Sequence, residues 1–222
     1  MSQRVRIVRQ PPRYELALVR QSIAALGIDW PGLIRPGDRV VLKPNFIRES
    51  HTERPDEWEQ IITHGTVIAA VAEQVAAAGG KITIADAPQT DSDFEKICER
   101  AGLAKLAVEV LDLRREAWRT ENGVIVERRK LPEDPRGYTL VDVAGKSCFA
   151  GKNDKFYGAD YDTKFTASPH SHGKHEYLLS RNVMDVDVFI NLPKLKTHKK
   201  VGVTLGFGLW LVSARRRANV RL

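Results

Sequence analysis

The chain has 222 residues, 42% hydrophobic and 28% charged, with a formal net charge of +7. These proportions are ordinary for a soluble globular protein with one substantial core. Four positive charges lie near the end of the chain, so the remainder carries only about +3, too little to indicate nucleic-acid binding. The first residues lack a signal-peptide pattern, and no apolar stretch reaches about 18 residues. We therefore expect a cytoplasmic protein with no membrane and no nucleic-acid partner.

Strand and helix patterns alternate along the first half of the chain. Period-two alternation and short apolar runs predict strands, whereas apolar residues at three- and four-residue spacing predict helices. This order indicates a parallel sheet with right-handed crossovers. The predicted elements are strand Val5–Val8, helix Tyr14–Leu26, strand Val40–Leu42, helix Thr66–Ala78, strand Lys81–Asp86, helix Asp91–Ala101 and strand Val108–Leu111.

The second half is less regular. Asn122-Gly123 marks a hairpin turn, so Val124–Val126 and Tyr138–Val143 are predicted to form an antiparallel insertion. A long polar loop follows, then a helix at His175–Val183 and a buried strand at Val188–Ile190. The predicted fold is α/β, a mostly parallel sheet with flanking helices and a small antiparallel insertion. We expect a single domain over residues 1–207, with the insertion at about 118–172, and an atypical basic tail at 208–222.

Three of the predicted strands end in a polar residue next to a proline. Lys43-Pro44-Asn45 follows the second strand, Asp86 ends the third, and Asn191 and Pro193 stop the last. A basic loop comes next, with Lys194, Lys196, Thr197 and His198. Since ligands of α/β proteins bind beyond the carboxyl ends of parallel strands, these side chains are expected to share one site.

Cationic donors with one imidazole indicate a small anionic ligand. The residues expected to bind it are Lys43, Asn45, His64, Lys196 and Thr197, and the catalytic candidates are His198, Lys194 and Asp86. A lysine crowded by other cations has a lowered pKa, which suits a base or a Schiff-base nucleophile. The alternative is that Lys194 and Lys196 only hold a carboxylate or phosphate of the substrate.

Other motifs give weaker signals. His170, His172 and His175 are candidate zinc or nickel ligands, but no paired carboxylate accompanies them, so we favour a solvated loop and predict no metal site. Cys98 and Cys148 lack the spacing of a zinc or iron–sulfur site. Nucleotide-binding motifs are absent from the sequence, and the cofactor is left open.

Several of these segments together resemble one known family. They are Lys43-Pro44-Asn45, the helix opening after Thr63-His64-Gly65-Thr66, the strand with Asp86, and Asn191–His198 followed by Gly202–Leu205. They are similar to the domain of unknown function 362 (DUF362) family over most of residues 5–207. Some members are fused to iron–sulfur modules, so the resemblance implies a redox context and a candidate iron–sulfur partner protein.

The resemblance ends at about residue 206. Family members similar to this chain continue with further segments, whereas Gly206–Leu222 is an apolar run followed by arginines. This pattern predicts a truncated or frameshifted end, the alternative being an authentic basic tail. Three functions stay open: an enzyme acting on a small anionic substrate, a non-catalytic accessory or binding protein in an iron–sulfur-linked redox or biosynthetic pathway, and an inactive fragment.

Overall fold

The computed structural model describes residues 5–122, 124–151, 164 and 167–198, with backbone alone at 198 and at 202–204. These residues form two compact units. The first contains the described chain up to Asp134 and from Val186 onward, and the second contains the described part of Pro135–Asp185. The predicted single domain over residues 1–207, with its insertion at about 118–172, has other boundaries than these two units. The domain organisation stays a prediction. The predicted tail lies outside the described residues.

The first unit contains most of the regular elements. Its helices are α1 (Leu16–Ala25), α2 (Trp30–Leu33), α3 (Gly65–Ala77), α4 (Phe94–Arg100) and a 3-10 turn at Leu103–Leu106. Its strands are β1 (Arg39–Pro44), β2 (Lys81–Asp86), β3 (Glu109–Asp112), β4 (Glu116–Glu121), β5 (Val124–Lys130), β8 (Val188–Leu192), β9 (Lys196–His198) and β10 (Gly202–Thr204).

A four-stranded sheet with the order β3-β2-β1-β8 forms the centre of the first unit, and all of its neighbouring strands are parallel. Val40 pairs with Ile82 on one side and with Val188 on the other, and Lys43 pairs with Asn191. The predicted α/β fold, with a mostly parallel sheet, flanking helices and small antiparallel sheets, is therefore confirmed. All four strands end at the same edge of the sheet, because parallel strands share one direction.

The core lies between this sheet and helices α1 and α3. Leu42 and Ile84 from the sheet are completely buried, as are Ile68 and Val75 from α3. Each such side chain stabilises the fold by about 1.5–3 kcal/mol relative to an exposed position. Helix α3 ends before Gly79, whose φ of 84° lies in the left-handed region that glycine adopts without a steric penalty.

Two local predictions for the first unit are wrong. The predicted strand Val5–Val8 forms no strand, and Val5 and Ile7 are exposed at 86% and 89%. Alternation alone does not make a strand where no neighbouring strand pairs with it. The second is the start of α4, predicted at Asp91: the helix begins at Phe94, after the N-cap Asp93, whose carboxylate accepts from Lys96 N at 3.0 Å.

The second unit contains strands β6 (Tyr138–Asp142) and β7 (Glu176–Ser180), which pair antiparallel. A four-residue helix, α5 (Arg181–Met184), follows, and 3-10 turns lie at Ala144–Lys146 and Ser168–His170. The predicted helix at His175–Val183 is therefore mostly a strand. Backbone hydrogen bonds to β6 outweigh the local helical spacing, as tertiary context often does.

The predicted hairpin turn at Asn122 is confirmed. Asn122 follows β4 directly and has a φ of 49°, in the left-handed region typical of such turns. Gly123 lies outside the described residues. The strands of the predicted insertion nevertheless have different partners. Val124 begins β5, which pairs with β4, whereas Tyr138 begins β6, which pairs with β7. The insertion predicted as one antiparallel unit is thus two separate two-stranded sheets.

Candidate functional site

Lys43 and Asp86 form an ion pair at the carboxyl ends of β1 and β2. Lys43 Nζ lies 2.5 Å from Asp86 Oδ1, and the two side chains are 15% and 6% exposed. Asp86 also accepts hydrogen bonds from Phe46 N at 2.7 Å and Ala87 N at 2.8 Å. Burial lowers the pKa of Lys43, and the opposing charge of Asp86 compensates in part. Asp86 therefore holds both the lysine and the backbone that leaves β1.

Thr63 joins the ends of β1 and β8, and its role was not predicted from the sequence. Its hydroxyl donates to Leu192 O at 2.6 Å and accepts from Asn45 N at 2.9 Å. Thr63 N donates in turn to Asn45 O at 3.0 Å. Thr63 is 3% exposed, so these bonds lie away from water and fix the position of Asn45. A threonine two residues before a helix gives no sequence signal for such a junction.

The side chain of Lys196 extends from β9 to the segment that follows β1. Its Nζ donates to Ile61 O at 3.3 Å and to Asn45 Oδ1 at 3.5 Å. The residue is half-buried, and this burial lowers the pKa of its amine to about 8. The negative charge of Asp86 opposes the change, whereas the positive charge of Lys194 adds to it. Lys196 therefore carries an amine that changes its charge near physiological pH.

Lys194 contacts a residue from the beginning of the chain. Its Nζ donates to the Tyr14 hydroxyl at 2.8 Å and lies 4.9 Å from the centre of the Tyr14 ring. We call Lys43, Asn45, Asp86, Lys194 and Lys196 the lysine site. The charges of Lys43 and Asp86 balance each other, so Lys194 and Lys196 give the site its net positive charge.

His64 forms the N-cap of α3. Its Nδ1 accepts a hydrogen bond from Thr66 N at 3.2 Å, and its ring stacks on Tyr14 at 4.1 Å and on Trp58 at 5.5 Å. Burial lowers the pKa of His64; the charge of Glu59, 3.6 Å from Nε2, opposes this change and the charge of Lys194 adds to it. His64 thus has a structural position beside the lysine site, and its predicted role in substrate binding stays a prediction.

Glycine is required where α3 begins. A Cβ atom on Gly65 would collide with the backbone carbonyl oxygen of Ala101, which follows α4. This close approach packs the first turn of α3 against the end of α4 and thereby positions His64. Part of the Thr63-His64-Gly65-Thr66 segment is therefore explained by packing.

The basic segment after β8 was predicted to be a loop and is in part a strand. β9 pairs antiparallel with β10, with Lys196 opposite Thr204 and Thr197 opposite Val203. Thr197 is exposed and points to the face of β9 opposite to Lys196, because side chains alternate along a strand. The side chain of His198 lies outside the described residues, and the catalytic role of this residue stays a prediction.

Asn191 was predicted to stop its strand but lies within β8, which continues to Leu192. It pairs with Lys43, so both side chains lie on the same face of the sheet. Its Oδ1 is buried, and no hydrogen-bond donor among the described residues contacts that oxygen. A strand can contain asparagine where both of its neighbours, here Ile190 and Leu192, fit the core.

The second unit contains the histidines that were considered as metal ligands. His170 Nδ1 lies 3.4 Å from His175 Nδ1, whereas His172 contacts the Ser171 hydroxyl. His172 is exposed and His170 is partly buried, as expected for the solvated loop that we favoured, whereas His175 is only 3% exposed and departs from that prediction. Over the part of the chain that the structure describes, no group of three or more histidine, cysteine or acidic side chains is placed to hold a metal ion.

Neither cysteine is disulfide-bonded. Cys148 is exposed, whereas Cys98 is half-buried on α4. Burial raises the pKa of the Cys98 thiol to about 11, and the negative charges of Asp112, Glu95 and Asp93 act in the same direction. Cys98 is therefore protonated at neutral pH and is unreactive as a nucleophile.

The fold and the lysine site define an α/β protein with a cationic site at the carboxyl ends of its parallel strands. Residues 40–139 and 145–216 match the family described as "Domain of unknown function (DUF362)". The chain therefore belongs to the DUF362 family, as the sequence motifs predicted.

A curated relative supports this membership. The chain is 31% identical over 191 residues to the thylakoid-associated protein sll1697 of Synechocystis sp. (strain ATCC 27184 / PCC 6803 / Kazusa). The alignment covers 86% of this chain but 43% of the relative, so the chain spans less than half of that protein. No solved structure matches the chain. Among the described residues, no helix is long and apolar enough to cross a membrane.

Proposed function

We propose that the lysine site binds a small anionic substrate and forms part of an enzyme's active site. The observation that carries the proposal is the position of Lys196, a half-buried amine beside a second lysine at the carboxyl ends of the sheet. Two cations placed close together repel each other, and an anion between them relieves that repulsion. A carboxylate or phosphate is the ligand that this charge arrangement favours.

The members of the site have different roles in this proposal. Lys194 and Lys196 contact the anion, whereas Lys43 is held by Asp86, whose carboxylate balances its charge. Asn45, which Thr63 holds in place, orients Lys196 through its amide oxygen. His198 is the acid–base candidate that the sequence supplies, and its location at the end of β9, two residues from Lys196, supports that assignment.

The proposal is tested by the effect of anions on thermal stability. A ligand that binds the folded state alone raises the melting temperature by mass action. Phosphate or malonate should raise it by several degrees in the wild type, and added potassium chloride should reduce the effect by screening. Lys196→Ala should lose most of the increase, whereas Lys174→Ala, at an exposed lysine of the second unit, should keep it. Equal increases in both variants would place the anion elsewhere.

The alternative is a non-catalytic accessory protein with an iron–sulfur partner, an idea that comes from the family resemblance. Its test is a pull-down from native extract followed by iron analysis of the bound fraction. Iron recovered in stoichiometric amount with the wild type, together with no anion effect, would favour this alternative. A cytoplasmic location likewise stays a proposal, and the name of the relative describes association with thylakoids.

A further inference from the structure

Tyr14 links the lysine site to the start of helix α3. Its hydroxyl accepts a hydrogen bond from Lys194 Nζ at 2.8 Å. Its ring lies parallel to that of His64, with 4.1 Å between the ring centres and 5° between the planes. His64 is itself fixed in place as the N-cap of α3. The Tyr14 ring therefore has a defined orientation, and its hydroxyl has a defined position beside Lys194.

The hydroxyl of Tyr14 keeps its own proton as a donor. An ammonium group has three donors and no acceptor, so Lys194 can only donate to the tyrosine oxygen. Over the part of the chain that the structure describes, the hydroxyl makes no second hydrogen bond. Tyr14 is 38% exposed, so a ligand can reach this side chain. The proton of the hydroxyl is therefore available to an acceptor from outside the chain.

We propose that Tyr14 is a substrate-binding residue whose hydroxyl donates to one oxygen of a carboxylate or phosphate group, while Lys194 donates to another oxygen of the same group. The inference rests on the proposed function and adds to it a residue from the beginning of the chain and the way in which the anion is held. Two donors whose heavy atoms lie 2.8 Å apart suit a group with two oxygens on one central atom. Chloride, with one acceptor atom, is a poorer match.

The contact with Lys194 makes the tyrosine a stronger donor. When the ammonium donates to the hydroxyl oxygen, it draws electron density away from the O–H bond, and successive hydrogen bonds polarise one another. Both bonds to the anion are charge-assisted and therefore stronger than bonds between neutral groups. The ring stack with His64 holds the hydroxyl in place before the anion binds, so little side-chain freedom is lost on binding. Tyr14 and Lys194 thus form one preorganised donor pair.

Tyr14→Phe tests the inference, because it removes the hydroxyl and keeps the ring that stacks on His64. Calorimetric titration of the intact chain with malonate and with phosphate shows which group the wild type binds more tightly, and that anion is compared across the variants. We expect Tyr14→Phe to weaken its binding by about tenfold or more, as for the loss of a hydrogen bond to a charged group. Tyr177→Phe, in β7 of the second unit, is the control and should bind as the wild type does. Unchanged affinity in Tyr14→Phe, or equal losses in the two variants, would overturn the inference.

Fluorination of Tyr14 distinguishes donation to the anion from a role in holding Lys194 alone. Fluorine next to the hydroxyl makes it a stronger donor and a weaker acceptor. Protein with a ring-fluorinated tyrosine in place of Tyr14 is titrated at about pH 6, so that the fluorinated phenol keeps its proton. It should bind the anion more tightly than the wild type does. Equal or weaker binding would mean that the hydroxyl serves only as an acceptor for Lys194, and would overturn the inference.

The same titrations separate this inference from the proposed function. If the wild type binds the anion and Lys196→Ala does not, while Tyr14→Phe binds as tightly as the wild type, the anion site stands and the role of Tyr14 is wrong. If the wild type binds neither malonate nor phosphate, both proposals are wrong.

Discussion

Lys43 and Asp86 lie on neighbouring parallel strands, and their side chains form an ion pair of 2.5 Å that is 15% and 6% exposed. The pair fixes the edge of the sheet from which Asn45 and the segment after β1 continue. Asp86 accepts two backbone hydrogen bonds there in addition to the lysine. The lysine site is therefore built around an ion pair, and Lys194 and Lys196 are its two further cationic side chains.

Replacing Asp86 should be strongly destabilising. Asp86→Asn leaves Lys43 buried without its counter-ion, and breaking a buried pair in this way costs about 3–5 kcal/mol. Glu121→Gln is the matched control, since Glu121 pairs with Arg119 at a site where both side chains are 59% exposed; exposed pairs contribute about 0–1 kcal/mol. Urea unfolding gives the free energy of unfolding of both variants and of the wild type. Similar losses in the two variants would contradict the structural role of Asp86.

Thr63→Val should loosen the junction between β1 and β8. The change keeps the size of the side chain but leaves Asn45 N and Leu192 O without the hydroxyl, and each unsatisfied buried group costs about 1–3 kcal/mol. Thr63→Ser keeps the hydroxyl and should lose much less stability. Urea unfolding compares the two variants, and malonate stabilisation should weaken in Thr63→Val as Asn45 loses its position. Equal stability of the valine and serine variants would show that the hydroxyl is not needed.

The parts of the site that the sequence predicted are those that follow a strand directly. Lys43 and Asp86 could be placed together because each ends an apolar strand of one parallel sheet. Contacts between distant segments were not predictable in this way: Tyr14 stacks on His64 across fifty residues of chain, and Thr63 bonds to Leu192 across 129. These contacts depend on how helices and loops pack, which no local spacing encodes.

The pH dependence of stability should report on His64. Its pKa is lowered on folding, so between the folded and unfolded values the unfolded chain binds the additional proton. The stability contributed by neutral His64 is present above the unfolded pKa of about 6.5 and is lost as pH falls through that value toward the folded pKa. Lys194 strengthens this loss, and Glu59 opposes it.

His64→Asn isolates the effect, because asparagine keeps an N-cap acceptor for Thr66 N but does not titrate. Urea unfolding from pH 7.5 to 5.5 gives the free energy of unfolding of both proteins. As the pH falls, this free energy should decrease more in the wild type than in the variant. A difference that stays constant over this range would mean that His64 has the same pKa in the folded and unfolded chains.

The charge state of Lys196 tests the account most directly. In protein labelled with carbon-13 lysine, the Cε resonance of Lys196, assigned by its loss in Lys196→Arg, should titrate with a pKa of about 8. Saturating malonate should raise that pKa by about one unit or more, because an anion that binds the ammonium form tenfold more tightly shifts the pKa by one unit. A resonance that titrates at the ordinary lysine value, or a pKa that malonate leaves unchanged, would contradict an anion site at Lys196.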